Sequence, residues 1–310
     1  MDCAVPPALA GERLDRVLPE LVPGLTRSQA RRLIDLGRAT LDGTTPKAGA
    51  SVRAGQRLRV EPLPPETFSV EAEDIPVRVL HRDDDLIVVD KPADLVVHPA
   101  AGHARGTLVN ALAALGAGGG DPARPGIVHR LDKGTSGVMV VARNVTAHAR
   151  LAEQFAERTV EKTYLAIVVG EPPEEGRIET LFARHPVDRK RFTSRTTRGR
   201  TALTGFRVRE RRPGCAMLEV RLGTGRTHQI RVHLSESGWP ILGDAVYGRT
   251  PRDPELRRAA EALGRPALHA WRLAFAHPRT GERMAFDADV PADFERAWGA
   301  ISAGAVGGTS

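Results

Sequence analysis

The segment Ile127–Arg143, IVHRLDKGTSGVMVVAR, constrains this chain more than any other stretch. Its second half, Val138–Ala142, is an unbroken apolar run, the pattern of a strand buried on both faces. Before the run stands a turn of Gly134, Thr135, Ser136 and Gly137. Before the turn stands Asp132, with Arg130 two places upstream and Lys133 next to it. A carboxylate among cations at the head of a buried strand is costly to place. The cations favour its charged form, and the strand fixes its position. The glycines let a ligand or another backbone approach closely. Taken alone, an Asp beside an Arg is more often a structural ion pair than a catalytic group. The setting favours an acid presented to a substrate.

The 310 residues are enough for one large domain and a small one. The formal net charge is +7, which favours an anionic partner, most commonly nucleic acid. The charge is concentrated. From Arg184 to Arg212 eleven Lys and Arg face two acids, a local +9. Within it, Arg189, Lys190 and Arg191 are candidate phosphate contacts; an ordinary solvated basic face is the plain alternative. Cys3 and Cys215 are the two cysteines, too few for a disulfide framework and without zinc spacing. His228 and His233 are five apart and do not share a helical face, so no metal site is expected. No run of about 18 apolar residues is present to cross a membrane. A cytoplasmic protein without membrane contact is expected.

Residues 11–60 read as a compact unit. Leu14, Val17, Leu18 and Leu21 recur at helical spacing, and Pro23 and Gly24 end that helix. Thr26 and Ser28 are candidate caps for a second helix to about Leu36, which Gly37 ends. Asp42-Gly43 marks a hairpin between Ala39–Leu41 and Thr45–Lys47, and Arg57–Val60 is a last strand. The second helix carries Arg27, Arg31 and Arg32, with Arg38 just beyond. Arg27 and Arg31 share a face, where their repulsion calls for an offset; phosphates would supply it. Residues 61–74 form a linker stiffened by Pro62, Pro64 and Pro65.

The main domain is expected over 75–301, and 302–310 as a disordered tail. Strands are expected at Val77–Leu80, Leu86–Asp90, Leu95–Val97, Val138–Ala142, Lys162–Val169, Ala202–Arg209, Met217–Leu222, Leu268–Ala276 and Glu282–Ala288. Helices are expected at Gly106–Leu115, from Asn144, and at Thr227–Ser237, capped by Thr227 and stopped by Gly238. Strands outnumber helices and hairpin links recur. The fold class is α+β with a largely antiparallel or mixed sheet.

The motif His129-Arg-Leu-Asp132 followed by Thr135-Ser-Gly resembles that of the RluA-type RNA pseudouridine synthases. Further segments match in the family's order: Lys162-Thr-Tyr164-Leu-Ala-Ile-Val168, Leu222–Leu234 (LGTGRTHQIRVHL), Gly243-Asp244-x-x-Tyr247-Gly248 and Leu268-His269-Ala270. Val88–Gly102 also matches, with Asp90 and Asp94 where the family usually has Asn and Gly. The helix–helix–hairpin order of 11–60 resembles an S4-type RNA-binding domain.

The resemblance implies that Asp132 is the essential catalytic acid acting on a flipped uridine. It leaves open addition to C6, attack on C1′, or removal of the 2′ proton. It implies that Tyr164 lies against the base, with a proton-transfer role as the alternative, and that Arg231 pairs with Asp132. Arg130 would occupy the space the base vacates, and Lys133 and Arg226 would add RNA contacts. The loop at 184–200 would overlie the RNA cleft. No cofactor is called for, and a monomer is expected. Ribosomal RNA of the large subunit is the expected substrate, with transfer RNA as the alternative. The rival classes are a non-catalytic S4-type RNA-binding protein and a nucleoside hydrolase. The latter would want a second catalytic carboxylate to activate water, and no second acid lies in a comparable motif.

Overall fold

The computed structural model describes residues 2–22, 25, 27–47, 49–61, 70–97 and 105–302, without the side chains of Ser28 and Gln29. The expected breakers Pro23 and Gly24, the caps Thr26 and Ser28, the linker prolines, residues 98–102 and most of the tail lie outside that description. The chain divides into two compact units, Met1–Phe68 and Ser69–Ser310.

In the first unit, α1 (Leu14–Leu21) and α2 (Arg27–Asp35) pack Leu14, Val17, Leu18, Ala30, Leu33 and Ile34 into one apolar cluster with Leu58. The sheet has the order β1-β3-β2, with β1 (Asp2–Ala4), β2 (Ala39–Leu41) and β3 (Arg57–Val60) all antiparallel. Two expectations need correction. Thr45–Lys47 is not a strand. Asp42 and Gly43 turn at positive φ, but among the described residues the only ladder contact beyond them is a bridge from Leu41 to Thr44. The partner of β2 is therefore β3. The unit also begins before residue 11, because β1 pairs with β3; three residues are too few to show a strand period.

The basic helix α2 finds carboxylates nearby. Arg27 donates to Asp15 Oδ2 from Nη2 at 2.8 Å and from Nε at 3.1 Å, and Arg13 Nε donates to Oδ1 at 2.9 Å. Hydrogen bonds from Arg13 and Arg27 hold the Asp15 carboxyl at about 2, against the small opposing effect of its burial. Arg31 lies 3.7 Å from Asp35 one turn on. The crowding of Arg27 and Arg31 is thus offset within the protein.

The second unit is built on a ten-stranded sheet, β4-β5-β6-β12-β7-β11-β10-β8-β9, with β13 on β12. Its strands are β4 (Arg78–Arg82), β5 (Leu86–Lys91), β6 (Ser136–Ala142), β7 (Glu161–Val169), β8 (Glu175–Arg184), β9 (Phe192–Thr193), β10 (Arg200–Arg212), β11 (Cys215–Leu222), β12 (Leu268–Ala276) and β13 (Arg283–Asp287). Every pairing is antiparallel except β6 with β12. The α+β class and largely antiparallel sheet follow the expectation.

All seven residues of β6 are buried, which is why its sequence does not alternate. Gly137 adopts φ +118°, and a Cβ there would overlap the backbone of Ala270 on β12. Gly137 therefore admits a neighbouring strand, not a ligand. Leu95–Val97 is not a strand. Helices α3 (Leu108–Ala114) and α4 (Val145–Glu157) form close to where they are expected, and the Asn144 side chain caps α4 by accepting from Ala147 N at 2.8 Å. Helix α5 (Gln229–Glu236) starts later than expected and is not capped by Thr227. Its N-cap is His228, in a left-handed conformation at φ +60°. Two helices escape the sequence reading, α6 (Pro254–Leu263) and α7 (Ala292–Gly299).

Candidate active site

Asp132 sits on the turn ahead of β6, four residues short of the strand's first residue. Thr135 N–H donates to the Asp132 carbonyl at 3.0 Å and closes the turn. Around it is a cleft of about 340 Å³, lined from β7 by Lys162 and Tyr164, from the α5 loop by Arg226 and His228, and by Arg130 and Arg158.

The side chain of Asp132 is 15 % exposed, open enough to meet a ligand. Its ion-pair partner is Arg231 on α5, whose Nη1 donates to Oδ2 at 3.4 Å. The adjacent cations expected to hold it do not. Arg130 and Lys133 are exposed. Arg130 lines the Asp132 cleft, while Lys133 lines a different cavity with Lys91, Asp94 and Arg265.

Arg231 is itself held from behind. Its Nε and Nη2 donate to the Asp244 carboxylate at 2.7 and 2.8 Å, a two-pronged grip on a fully buried acid. The Asp244 Oδ1 also accepts from the amides of Val246 and Tyr247 at 2.9 and 3.0 Å. Burial pushes the Asp244 carboxyl upward, but the Arg231 bonds and charge outweigh it and carry it below the ordinary carboxylate range. The guanidinium also lies 5.0 Å from the Tyr247 ring. Arg231 is thereby fixed in orientation before it reaches Asp132.

Local sequence explains the position of α5. Gln229, at its first residue, accepts from Thr224 Oγ1 at 2.7 Å and from Arg226 N at 3.0 Å. Its amide donates to Leu203 O and Thr204 Oγ1, both at 2.9 Å. The loop before the helix is thus tied to β10, and Arg226 is aimed at the cleft rim.

Tyr164 is buried on β7 and lines the cleft. Burial, then the Asp132 charge, pushes its phenol well above the ordinary value. The ring is a neutral surface and a poor base. Arg158, the left-handed cap at the end of α4, brings a third guanidinium to the rim. Burial lowers the Arg226 pKa, with Arg200 and Arg158 adding to the effect. Crowded guanidinium groups of this kind favour an anion between them.

Arg189 and Lys190 are exposed on the turn between β8 and β9. Arg191 behaves differently, folding over the Tyr247 ring at 5.2 Å. Arg27, Arg31, Arg32 and Arg38 belong to the first unit. Sequence reading misses the functional weight of Asp244, Tyr247, His228 and Arg158. For the first two a signal exists in the Gly243-Asp-x-x-Tyr-Gly248 motif, which the resemblance matches without giving either residue a role.

Among the described residues, one group has ligand atoms close enough to hold a metal: Asp83, Asp85 and His277. It already has a cation, since Arg279 Nε lies 2.6 Å from Asp85 Oδ2.

Residues 85–236, spanning β5 to α5, match the family described as RNA pseudouridylate synthase. The chain is 44 % identical over 302 residues to a ribosomal large subunit pseudouridine synthase D of Xanthomonas campestris, covering 96 % of this chain and 91 % of that one. It is 42 % identical to the protein of the same name from Nitrosomonas europaea, covering 94 % and 85 %. The solved structure of human RNA pseudouridylate synthase domain containing 4 superposes with a TM-score of 0.55 at 27 % identity, covering 72 % of this chain and 92 % of that one. Fold and matches together define an RNA-modifying enzyme. The chain belongs to the RluA-type family of RNA pseudouridine synthases.

Proposed function

We propose that this enzyme isomerises uridine to pseudouridine in 23S ribosomal RNA, with Asp132 as the reacting carboxylate. The names of its relatives support that substrate. The observation that carries the chemistry is the chain Asp132–Arg231–Asp244 at the edge of an open cleft beside Tyr164.

The reaction breaks the C1′–N1 bond, turns the uracil without losing it, and forms a C1′–C5 bond. It is redox-neutral. A charged acid at the sugar is suited to it, as nucleophile, as base or as electrostatic partner of a cationic ribose. Arg231 keeps that acid aimed. Tyr164 offers the base a stacking face worth about 1–3 kcal/mol. Its raised pKa favours stacking over deprotonation of C5. A stacked uridine cannot reach Asp132, so the base must be flipped out. Arg130, exposed at the cleft, is the group to fill the gap. Lys133, Arg226, Arg189, Lys190 and Arg191 serve phosphates, as do Arg27, Arg31, Arg32 and Arg38 on an S4-like first unit. The enzyme works in the cytoplasm, where its substrate is made.

The test is incubation with 23S RNA carrying tritium at uridine C5. Release of tritium with the RNA chain intact is expected. Free uracil would mean hydrolysis instead, and no change would leave an RNA-binding protein.

A further inference from the structure

We infer that His228 is a hydrogen-bond donor to the reacting base, its Nε2–H set beside Asp132 to meet the negative charge that uracil acquires as it leaves C1′. The inference rests on the reading of Asp132 above.

The hydrogen bonds around the ring favour one tautomer. The backbone N–H of Phe192 donates to the Tyr247 hydroxyl oxygen at 2.9 Å. The hydroxyl hydrogen is then left for His228 Nδ1, 2.8 Å away. A ring that accepts at Nδ1 carries its proton on Nε2. That nitrogen is 3.9 Å from Asp132 Oδ2, too far for a hydrogen bond, so its N–H is unspent among the described residues. The ring lines the cleft and its side chain is 22 % exposed, so a ligand can reach it.

The ring is also held rigidly. Phe192 packs edge-on at 5.7 Å and Tyr247 at 5.5 Å. His228 keeps a left-handed backbone, φ +60°, that L side chains with a Cβ rarely adopt. A strained residue held by two aromatic neighbours at the mouth of a cleft is the pattern of a functional position. The ionisable groups around it are Asp132, Arg231, Asp244 and Arg130. Burial lowers its pKa and Arg231 and Arg130 add to this, against the pull of Asp132 and Asp244, so the ring is neutral.

The chemistry needs such a group. When C1′–N1 breaks, the bonding electrons leave with N1 and spread onto O2 and O4 of the ring. A fixed N–H aimed at one of those oxygens stabilises the charge as it develops and costs no reorganisation. Asp132 cannot do this, because it is negative itself.

The test compares His228→Leu, His228→Gln and Asp132→Asn by tritium release from the same RNA. His228→Leu is expected to lower kcat by about 10²-fold or more while leaving KM nearly unchanged. His228→Gln keeps an N–H donor without a titrating ring, so its kcat should stay within about tenfold of the parent, with the pH profile unmoved. Wild-type kcat in His228→Leu, or equal losses in Leu and Gln, would overturn the donor role. Either result with an inactive Asp132→Asn removes this inference and leaves the function standing. A second measurement needs no variant. The ¹⁵N spectrum of the intact protein labelled at histidine should show a neutral His228 protonated on Nε2. A ring protonated on Nδ1 alone would contradict the assignment.

Discussion

Arg231 meets Asp132 with a single nitrogen, Nη1, at 3.4 Å, because its other donors are committed to Asp244. The asymmetry divides the labour. Asp244 anchors the guanidinium, and Asp132 keeps a partly exposed carboxylate with oxygen lone pairs free for substrate.

The anchor can be tested apart from the catalyst. Asp244→Asn takes the charge from the acid that grips a buried Arg231 and leaves only the single Nη1 contact with Asp132; breaking a buried pair costs about 3–5 kcal/mol. The urea midpoint should fall accordingly, and the residual folded enzyme should have a reduced kcat. Asp132→Asn, at a partly exposed position that makes a single contact with Arg231, should move the midpoint far less. Equal midpoints for Asp244→Asn and the parent would show that the grip on Arg231 does not hold the fold.

Two buried histidines set an acid limit on stability. Burial lowers His233 and His269 to about 4 each, and neither is exposed. His233 lies between Thr180 and Thr204 hydroxyls, and His269 between Ser136 Oγ and Ala288 O. Both have folded values depressed below the unfolded one of 6.5. Between those limits the unfolded chain takes up protons that the folded chain refuses. Stability is therefore full above the unfolded value and declines as pH falls towards 4, by up to roughly 1.4 kcal/mol per pH unit for each ring. Unfolding midpoints at neutral pH and near pH 5 check the sign; a midpoint that rises on acidification contradicts it.

The basic turn should split by residue. Arg189 and Lys190 are exposed, so neutralising both should flatten the salt dependence of RNA binding by about one to two phosphate contacts. Arg191 leans on Tyr247, so Arg191→Gln should also lower kcat. Filter binding across a salt series and turnover on the same RNA read the two effects. An unchanged salt slope after Arg189→Gln with Lys190→Gln would assign those side chains to ordinary surface.

Tight packing after the catalytic turn gives a purely structural prediction. Gly137→Ala would force a Cβ into Ala270 of β12, at a φ that alanine avoids. A loss of about 1–3 kcal/mol or more is expected by calorimetry, and a neutral substitution would contradict the register of β6 with β12.

The sheet class and the central strand are legible because β5 and β6 carry unbroken apolar runs, Leu86–Val89 and Val138–Ala142, and α4 because Asn144 is a strong cap. The pairing of Asp132 with Arg231 was reachable only through family resemblance, since the two are separated by 99 positions. Residue type and spacing misled at Arg130 and Lys133, whose nearness in sequence does not become contact in space. At Thr227 the capping rule lost to loop geometry, since Gln229 and His228 shape that turn through bonds to β10 and Tyr247. The helices α6 and α7 have amphipathic patterns that a scan for strands passes over. For α2, repulsion between Arg27 and Arg31 suggested phosphate, while Asp15 and Asp35 supply the offset.

The most direct measurement is tritium release from C5-labelled 23S RNA by Asp132→Asn beside the parent enzyme, with both shown folded by their unfolding midpoints. Release by the parent and none above background by the variant is expected. A variant that releases tritium at the parent's rate would remove Asp132 from the chemistry.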